Sequence, residues 1–247
     1  MASNELKQSL FAQHDFESLI YENKFRTGAI ARIAQDLRSD DIESANQQLD
    51  ELRDSDEAEG DLWYHIIGAF TRYKAGRMLE AKMELRRVAD MQNVDSLITL
   101  WAWNVLQDWG QQPDDDLAQK VLGVVMEVGL DKGIDVMAAY NDGTSRYVSR
   151  TGSMIAWDDH GDLNNDLARK IVAAAQTIVN QLPASTADAA TTTGNVQFSV
   201  LTIGGIRGIT APMNELSRAA SPLSSLFNAS KELLISLIKT VEESKQK

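Results

Sequence analysis

Apolar positions over the first half of the chain recur at helical spacing. Leu19, Ile20, Phe25, Ile30, Ile33, Ala34 and Leu37 follow one face of a helix from Phe16 to Leu37. Ser39-Asp40-Asp41 interrupts the pattern and offers N-caps for a second helix carrying Ile42, Ala45, Leu49 and Leu52. The acidic run 54–61 precedes a third helix with Leu62, Ile66, Ile67, Ala69, Phe70 and Tyr73, stopped at Gly76. A fourth carries Leu79, Met83 and Val88, with Ala81 and Leu85 beside them. Leu97, Trp101, Val105 and Trp109 mark a fifth, ended by Gly110 and Pro113. Trp103 points away from the Trp101–Trp109 face, a cluster expected of a core or an interface.

Near residue 121 the period shortens to two. Val124, Met126 and Val128 alternate with Val125, Glu127 and Gly129, and a turn follows at Asp131-Lys132-Gly133. Ile134, Val136, Ala138 and Tyr140 form a second alternating run. Asn141-Asp142-Gly143 is a hairpin signal, because these residues tolerate positive φ. Strands over 144–149 and 153–157 complete a four-stranded antiparallel meander. A helix follows from Leu163 to Leu182, with Leu163, Leu167, Ile171, Ala174 and Ile178 on one face. Pro183 opens a small, polar stretch that reads as a mobile loop over 183–195. A fifth strand carries Val196, Phe198 and Val200, and a terminal helix carries Leu223, Leu226, Phe227, Leu234, Leu237, Ile238 and Val241. The fold class expected is α+β, with a helical-hairpin domain over 1–120 and a sheet domain with packed helices over 121–247. Roadblock, longin and profilin domains share this kind of layout by analogy alone.

Composition narrows the chemistry. The chain has no cysteine, which removes disulfides, thiolate metal sites and a cysteine nucleophile. Net charge is −12, and residues 1–120 hold 23 acidic against 13 basic side chains. Such a surface repels phosphate backbones, so nucleic-acid binding is not expected. The N-terminal residues lack a basic-then-apolar leader, and no apolar run reaches membrane-spanning length, so a cytoplasmic location is expected.

The segment YKAGRMLEA (73–81) resembles the turn of a tetratricopeptide repeat, with Gly76 between the helices and Ala81 and Ala69 at the close-packing positions. Weaker copies align on Ala45 and Ala118, at spacings of 36 and 37 residues. His65 stands where that family usually has Trp, and Gly76 has no counterpart in the first copy. The resemblance implies a stack of helical hairpins that binds another protein or packs on its own C-terminal domain. The segment AAYNDGTSRYVSRTGSMIAWD also resembles a stretch found in a bacterial protein family, and that resemblance implies no activity.

Three groups of residues invite chemistry. Arg146 and Arg150 fall on one face of the third strand and would grip a carboxylate or phosphate, unless that face is simply solvated or Asp135 on the neighbouring strand pairs with them. In TIGGIRG, Gly204, Gly205, Arg207 and Gly208 would let backbone N–H groups approach an anion, although neither a P-loop nor GxGxxG is present. Asp158, Asp159, His160 and Asp162 have donor types that suit a metal, yet acids at a helix start read first as caps. No metal site and no cofactor is therefore expected. No GxSxG or HExxH motif occurs. The expectation is a non-enzymatic interaction or scaffold protein with a protein partner, and a homodimer through exposed strand edges. The alternative is a sensor or enzyme in which Arg146, Arg150 and the 204–208 loop converge on an anionic ligand.

Overall fold

The computed structural model of the chain describes residues 9–21, 28–53, 61–158, 163–188, 191–218 and 221–244. The class is α+β, with helices first and an antiparallel sheet after them. Two compact units interleave along the sequence. One takes Gln13–Val94 and Trp101–Gln112; the other takes Asp95–Leu100, Pro113–Lys247 and the described part of Met1–Ala12.

The helical unit contains α1 (Phe16–Tyr21), α2 (Gly28–Arg38), α3 (Ile42–Leu52), α4 (Leu62–Lys74) and α5 (Met78–Asp90). Most of α6 (Ser96–Asp108) also belongs to it. The single helix expected over Phe16–Leu37 is two, because Gly28 adopts φ 89°, which a continuous helix excludes. Asp41 and Asp61 accept hydrogen bonds from the backbone N–H of Ser44 (3.0 Å) and Tyr64 (2.7 Å), which starts α3 and α4. Gly76 ends α4 at φ 75°, donating to the Tyr73 carbonyl while Arg77 N–H donates to the Arg72 carbonyl. This paired closure satisfies carbonyls the helix leaves open and turns the chain into α5. Ala69 and Ala81 are fully buried. The expected stripe of α5 is corrected: Ala81, Leu85, Val88 and Ala89 face the core, while Leu79 and Met83 are exposed. Both sets satisfy helical spacing, and the small Ala81 side suits the closer packing. Phe16 meets Phe70, Trp101 and Trp109 at ring separations of 5.2, 5.0 and 5.7 Å. Trp101 and Trp103 are both buried.

The copy expected around Ala118 forms one helical turn, α7 (Asp115–Ala118), and not a hairpin. The sheet follows at once: β1 (Val121–Leu130), β2 (Gly133–Tyr140), β3 (Ser145–Val148), β4 (Met154–Trp157), β5 (Asn195–Thr202) and β6 (Gly205–Pro212), in spatial order β4-β3-β2-β1-β5-β6. β6 is the strand that sequence reading takes for a glycine loop. Val124 and Met126 of β1, Met137 and Ala139 of β2, and Phe198 and Val200 of β5 pack against α8 (Leu163–Gln176) and α10 (Pro222–Ser244). The short α9 (Met213–Leu216) precedes α10. The opposite sheet face is buried as well, through Val125, Glu127, Val136, Ala138, Tyr140, Gln197 and Ser199. Tyr140 donates its hydroxyl to the Leu10 carbonyl at 2.8 Å. The 183–195 stretch is tied to the sheet at several points: Ser185 N–H donates to Ile206, Pro183 accepts from Gly208, and Thr191 donates to Glu127 (2.8 Å). No described helix is long and apolar enough to cross a membrane.

Candidate functional site

The hairpin between β2 and β3 is a structural hub. Tyr140 N–H donates to the Thr144 carbonyl, Gly143 N–H donates to the Tyr140 carbonyl, and Gly143 alone in the turn takes positive φ, 96°. Asp142 turns its carboxylate back onto the main chain. It accepts from Thr144 N–H (2.8 Å) and from Ser96 N–H at the start of α6 (2.6 Å), while Ser96 Oγ accepts from Asp142 N–H (3.1 Å). Asn165 and Arg169 of α8 donate to the Gly143 and Asp142 carbonyls at 2.8 and 2.9 Å. Burial alone would raise the Asp142 carboxyl, but the N–H donors of Ser96 and Thr144 outweigh it and hold it below the usual aspartate range. The NDG motif is thus a cap and a clamp built from one turn.

Arg146 and Arg150 do not act together. β3 ends at Val148, so Arg150 lies in the turn beyond it and not on the strand face. Its guanidinium approaches Asp135 Oδ2 at 3.3 Å, while its backbone N–H donates to Asp135 Oδ1 at 2.7 Å. Arg146 pairs with Asp158 at 2.6 Å and donates to the Ser145 carbonyl at 2.9 Å. Each arginine therefore already has its own aspartate. Burial, with Asp135 beside it, pushes the Tyr147 phenol up.

The Gly204–Gly208 segment sits elsewhere. β6 lies four strand steps from β3, roughly 19 Å at the usual spacing between neighbours. The N–H groups of Gly204 and Gly208 are spent on the Ala118 and Pro183 carbonyls, at 2.9 and 3.0 Å. A Cβ at Gly204 would lie 2.8 Å from the Ala118 Cβ, so this glycine serves close packing. Gly205 turns the hairpin at φ 125°, and Arg207 donates to the Leu182 carbonyl at 3.2 Å. The structure does not bring these residues to Arg146 or Arg150. Asp159, His160 and Asp162 lie outside the described residues. Among the described residues, no group of three His, Cys, Asp or Glu side chains is arranged to hold a metal ion.

A charged cluster in the helical unit escaped the sequence reading. Arg72, only 2 % exposed, lies within 3.7–3.9 Å of Asp50, Glu80 and Glu84. Its Nη1 finds no hydrogen-bond partner among the described residues. His65 Nδ1 donates to the buried Glu84 at 2.7 Å, and Arg87 approaches the same carboxylate at 3.2 Å. Burial alone would raise Glu84; the His65 hydrogen bond and the Arg72 and Arg87 charges hold it low instead. Gly68 makes room, since a Cβ there would stand 2.8 Å from Arg72 Nη1. The legible signal was Glu84 on the same helical face as Ala81, Leu85 and Val88, a polar residue at a core position.

Outside that cluster, Tyr73, Met78, Leu79 and Met83 are exposed large apolar side chains, all within the α4–α5 hairpin. Comparison of the chain with known protein families, with curated proteins and with solved structures finds no match.

Proposed function

We propose that this chain is a non-enzymatic cytoplasmic interaction protein whose helical unit, a tetratricopeptide-like stack of hairpins, holds a protein partner. The observation that carries the reading is the concentration of exposed apolar side chains on one hairpin: Tyr73, Met78, Leu79 and Met83 fall within eleven residues. Exposed large apolar side chains grouped on one element are a common mark of a binding surface. Gly76 at positive φ and the fully buried Ala69 and Ala81 support the resemblance to that repeat family. The absence of cysteine fits a reducing compartment. The anionic-ligand alternative has little support, since Arg146 and Arg150 are engaged by Asp158 and Asp135 and stand far from Gly204–Gly208.

Affinity capture of the full chain from its native lysate, read by mass spectrometry, tests the proposal. One protein recovered in stoichiometric amount is the expected result. Recovery of the chain alone, with a small molecule retained in native mass spectra, overturns it.

A further inference from the structure

The six-stranded sheet ends in β4 on one side and β6 on the other, and the two edges are finished differently. β6 spends the Ile206 carbonyl and the Gly208 N–H on the 183–185 segment, which offers the Ser185 N–H (2.9 Å) and the Pro183 carbonyl (3.0 Å). Its last residue, Pro212, has no N–H to give. β4 carries no charge, proline or bulge, the usual guards of a free edge.

The register says which groups of β4 face outward. In an antiparallel pair, every second pair of opposed residues exchanges both main-chain hydrogen bonds. Tyr140 N–H donates to the Thr144 carbonyl, so Thr144, Arg146 and Val148 turn their main-chain groups toward β2. Ser149 N–H donates to the Ser153 carbonyl, so Tyr147 and Ser145 exchange bonds with Ile155 and Trp157. Met154 and Ala156 are left with N–H and C=O directed away from the sheet. Both residues are exposed, Met154 at 58 %, and among the described residues nothing hydrogen-bonds to those outward groups.

We propose that β4 pairs antiparallel with β4 of a second copy, about a two-fold axis at Ile155, joining the two sheets edge to edge. In this register Met154 of each copy lies opposite Ala156 of the other, and four main-chain hydrogen bonds use every outward group of both strands. The homodimer expected from exposed strand edges thus narrows to one edge. The second copy presents a strand that is already ordered, whereas a loose peptide would give up chain entropy for the same bonds. Pairing consumes both open edges, and with β6 guarded the assembly closes at two. Charge does not oppose it: residues 121–247 hold 13 acidic and 11 basic side chains, and β4 itself has none. The proposal does not depend on the partner reading above, which rests on the helical unit.

Sedimentation equilibrium of the full chain tests it, with circular dichroism to show each variant folded. The parent should sediment at twice the chain's mass. Ala156→Pro removes an outward N–H and leaves the bonds to β3 in place; it should weaken the dimer about tenfold or more, the scale of two lost hydrogen bonds. Met154→Lys with Ala156→Lys sets lysine opposite lysine twice and should leave a monomer. Met154→Lys with Ala156→Glu sets lysine opposite glutamate in the same register and should restore the dimer. A parent that sediments as a monomer, or as an open series of larger species, overturns the proposal. So does a folded double-lysine variant that stays dimeric, or a lysine–glutamate variant that is equally monomeric. A monomeric parent that binds a synthetic strand peptide gives the edge to another chain and overturns the second copy as its occupant.

Discussion

Glu84 in the helical unit and Asp142 in the sheet unit are both carboxylates drawn well into the protein, and both are held below their usual ionisation range. The means differ. Glu84 is held by other side chains, His65, Arg72 and Arg87. Asp142 is held by main-chain N–H groups of Ser96 and Thr144. The first arrangement weakens when one side chain changes, because a buried charge then loses part of its counter-charge. The second is set by backbone geometry, and only the carboxylate itself, or the turn that carries it, can be removed. The helical unit is therefore the more fragile to substitution within its interior, and the sheet unit to changes in its turn.

The largest break in that comparison is Arg72→Met. It removes the buried cation that Glu84 shares with Asp50 and Glu80, so a loss of about 3–5 kcal/mol is expected. Urea unfolding followed by tryptophan fluorescence measures it, since Trp101 and Trp103 are buried in the same unit. Arg72→Met with Glu84→Gln should recover part of the loss, because the unpaired charge is gone. A double variant no more stable than Arg72→Met would show that the ion pairs do not set the cost.

Removing the carboxylate from the turn comes next. Asp142→Ala strips the cap from Ser96 and Thr144, and a loss of about 2–3 kcal/mol follows from hydrogen bonds to a charged acceptor. The acid limb sharpens the point. Both carboxylates have lowered folded-state values, so their contribution is complete above the ordinary carboxylate range and is lost as pH falls through the lowered ones. The window thus opens below about pH 4. Asp142→Asn keeps one acceptor oxygen but cannot ionise. Its stability should fall less steeply than the parent's once pH drops into that window, as a series of urea melts would show. An identical slope would assign the acid sensitivity to groups other than Asp142.

These two sites also mark how far the sequence could be read. Period and caps placed most helices within a residue or two, because Asp41, Asp61 and Gly76 do locally what their types predict. The NDG hairpin was legible for the same reason. Its service to Ser96 was not, since the partners stand 46 residues apart. β6 was hidden because Gly204, Gly205 and Gly208 read as a loop, whereas two of them accommodate neighbours that approach too closely for a Cβ. Arg146 and Arg150 read as a choice between a ligand grip, a solvated face and an ion pair with Asp135; the structure gives Arg150 that aspartate and Arg146 a different one, Asp158, which strand spacing does not reveal. Of the Arg72 cluster only Glu84 was legible, as a polar residue on the core face of its helix; helical spacing does not say that Arg72 on the preceding helix turns inward to meet it.

Gly143→Ala tests the turn without touching a charge. The position has φ 96°, and a Cβ there would sit 2.8 Å from Arg169 Nη2 and 3.0 Å from the Asn165 Cβ. The expected cost is about 1–2 kcal/mol, from strain at a left-handed position with two neighbours displaced. Hydrogen exchange should show the loss in β2, β3 and the first turn of α6, because Asp142 and Ser96 move with the turn. Faster exchange confined to the loop itself would mean that the turn does not transmit to the helix start.

The smallest expected effect bears on the other unit. Leu79 and Leu85 are the same residue type on one helix, yet Leu79 is 74 % exposed and Leu85 is fully buried. Leu85→Ala should cost about 2–5 kcal/mol, as core truncations do. Leu79→Ser should shift stability by no more than about 0.5 kcal/mol, because it removes no buried contact. If Leu79→Ser proves as costly as Leu85→Ala, exposure does not separate the two leucines, and Leu79 contributes to the packing of the helical unit.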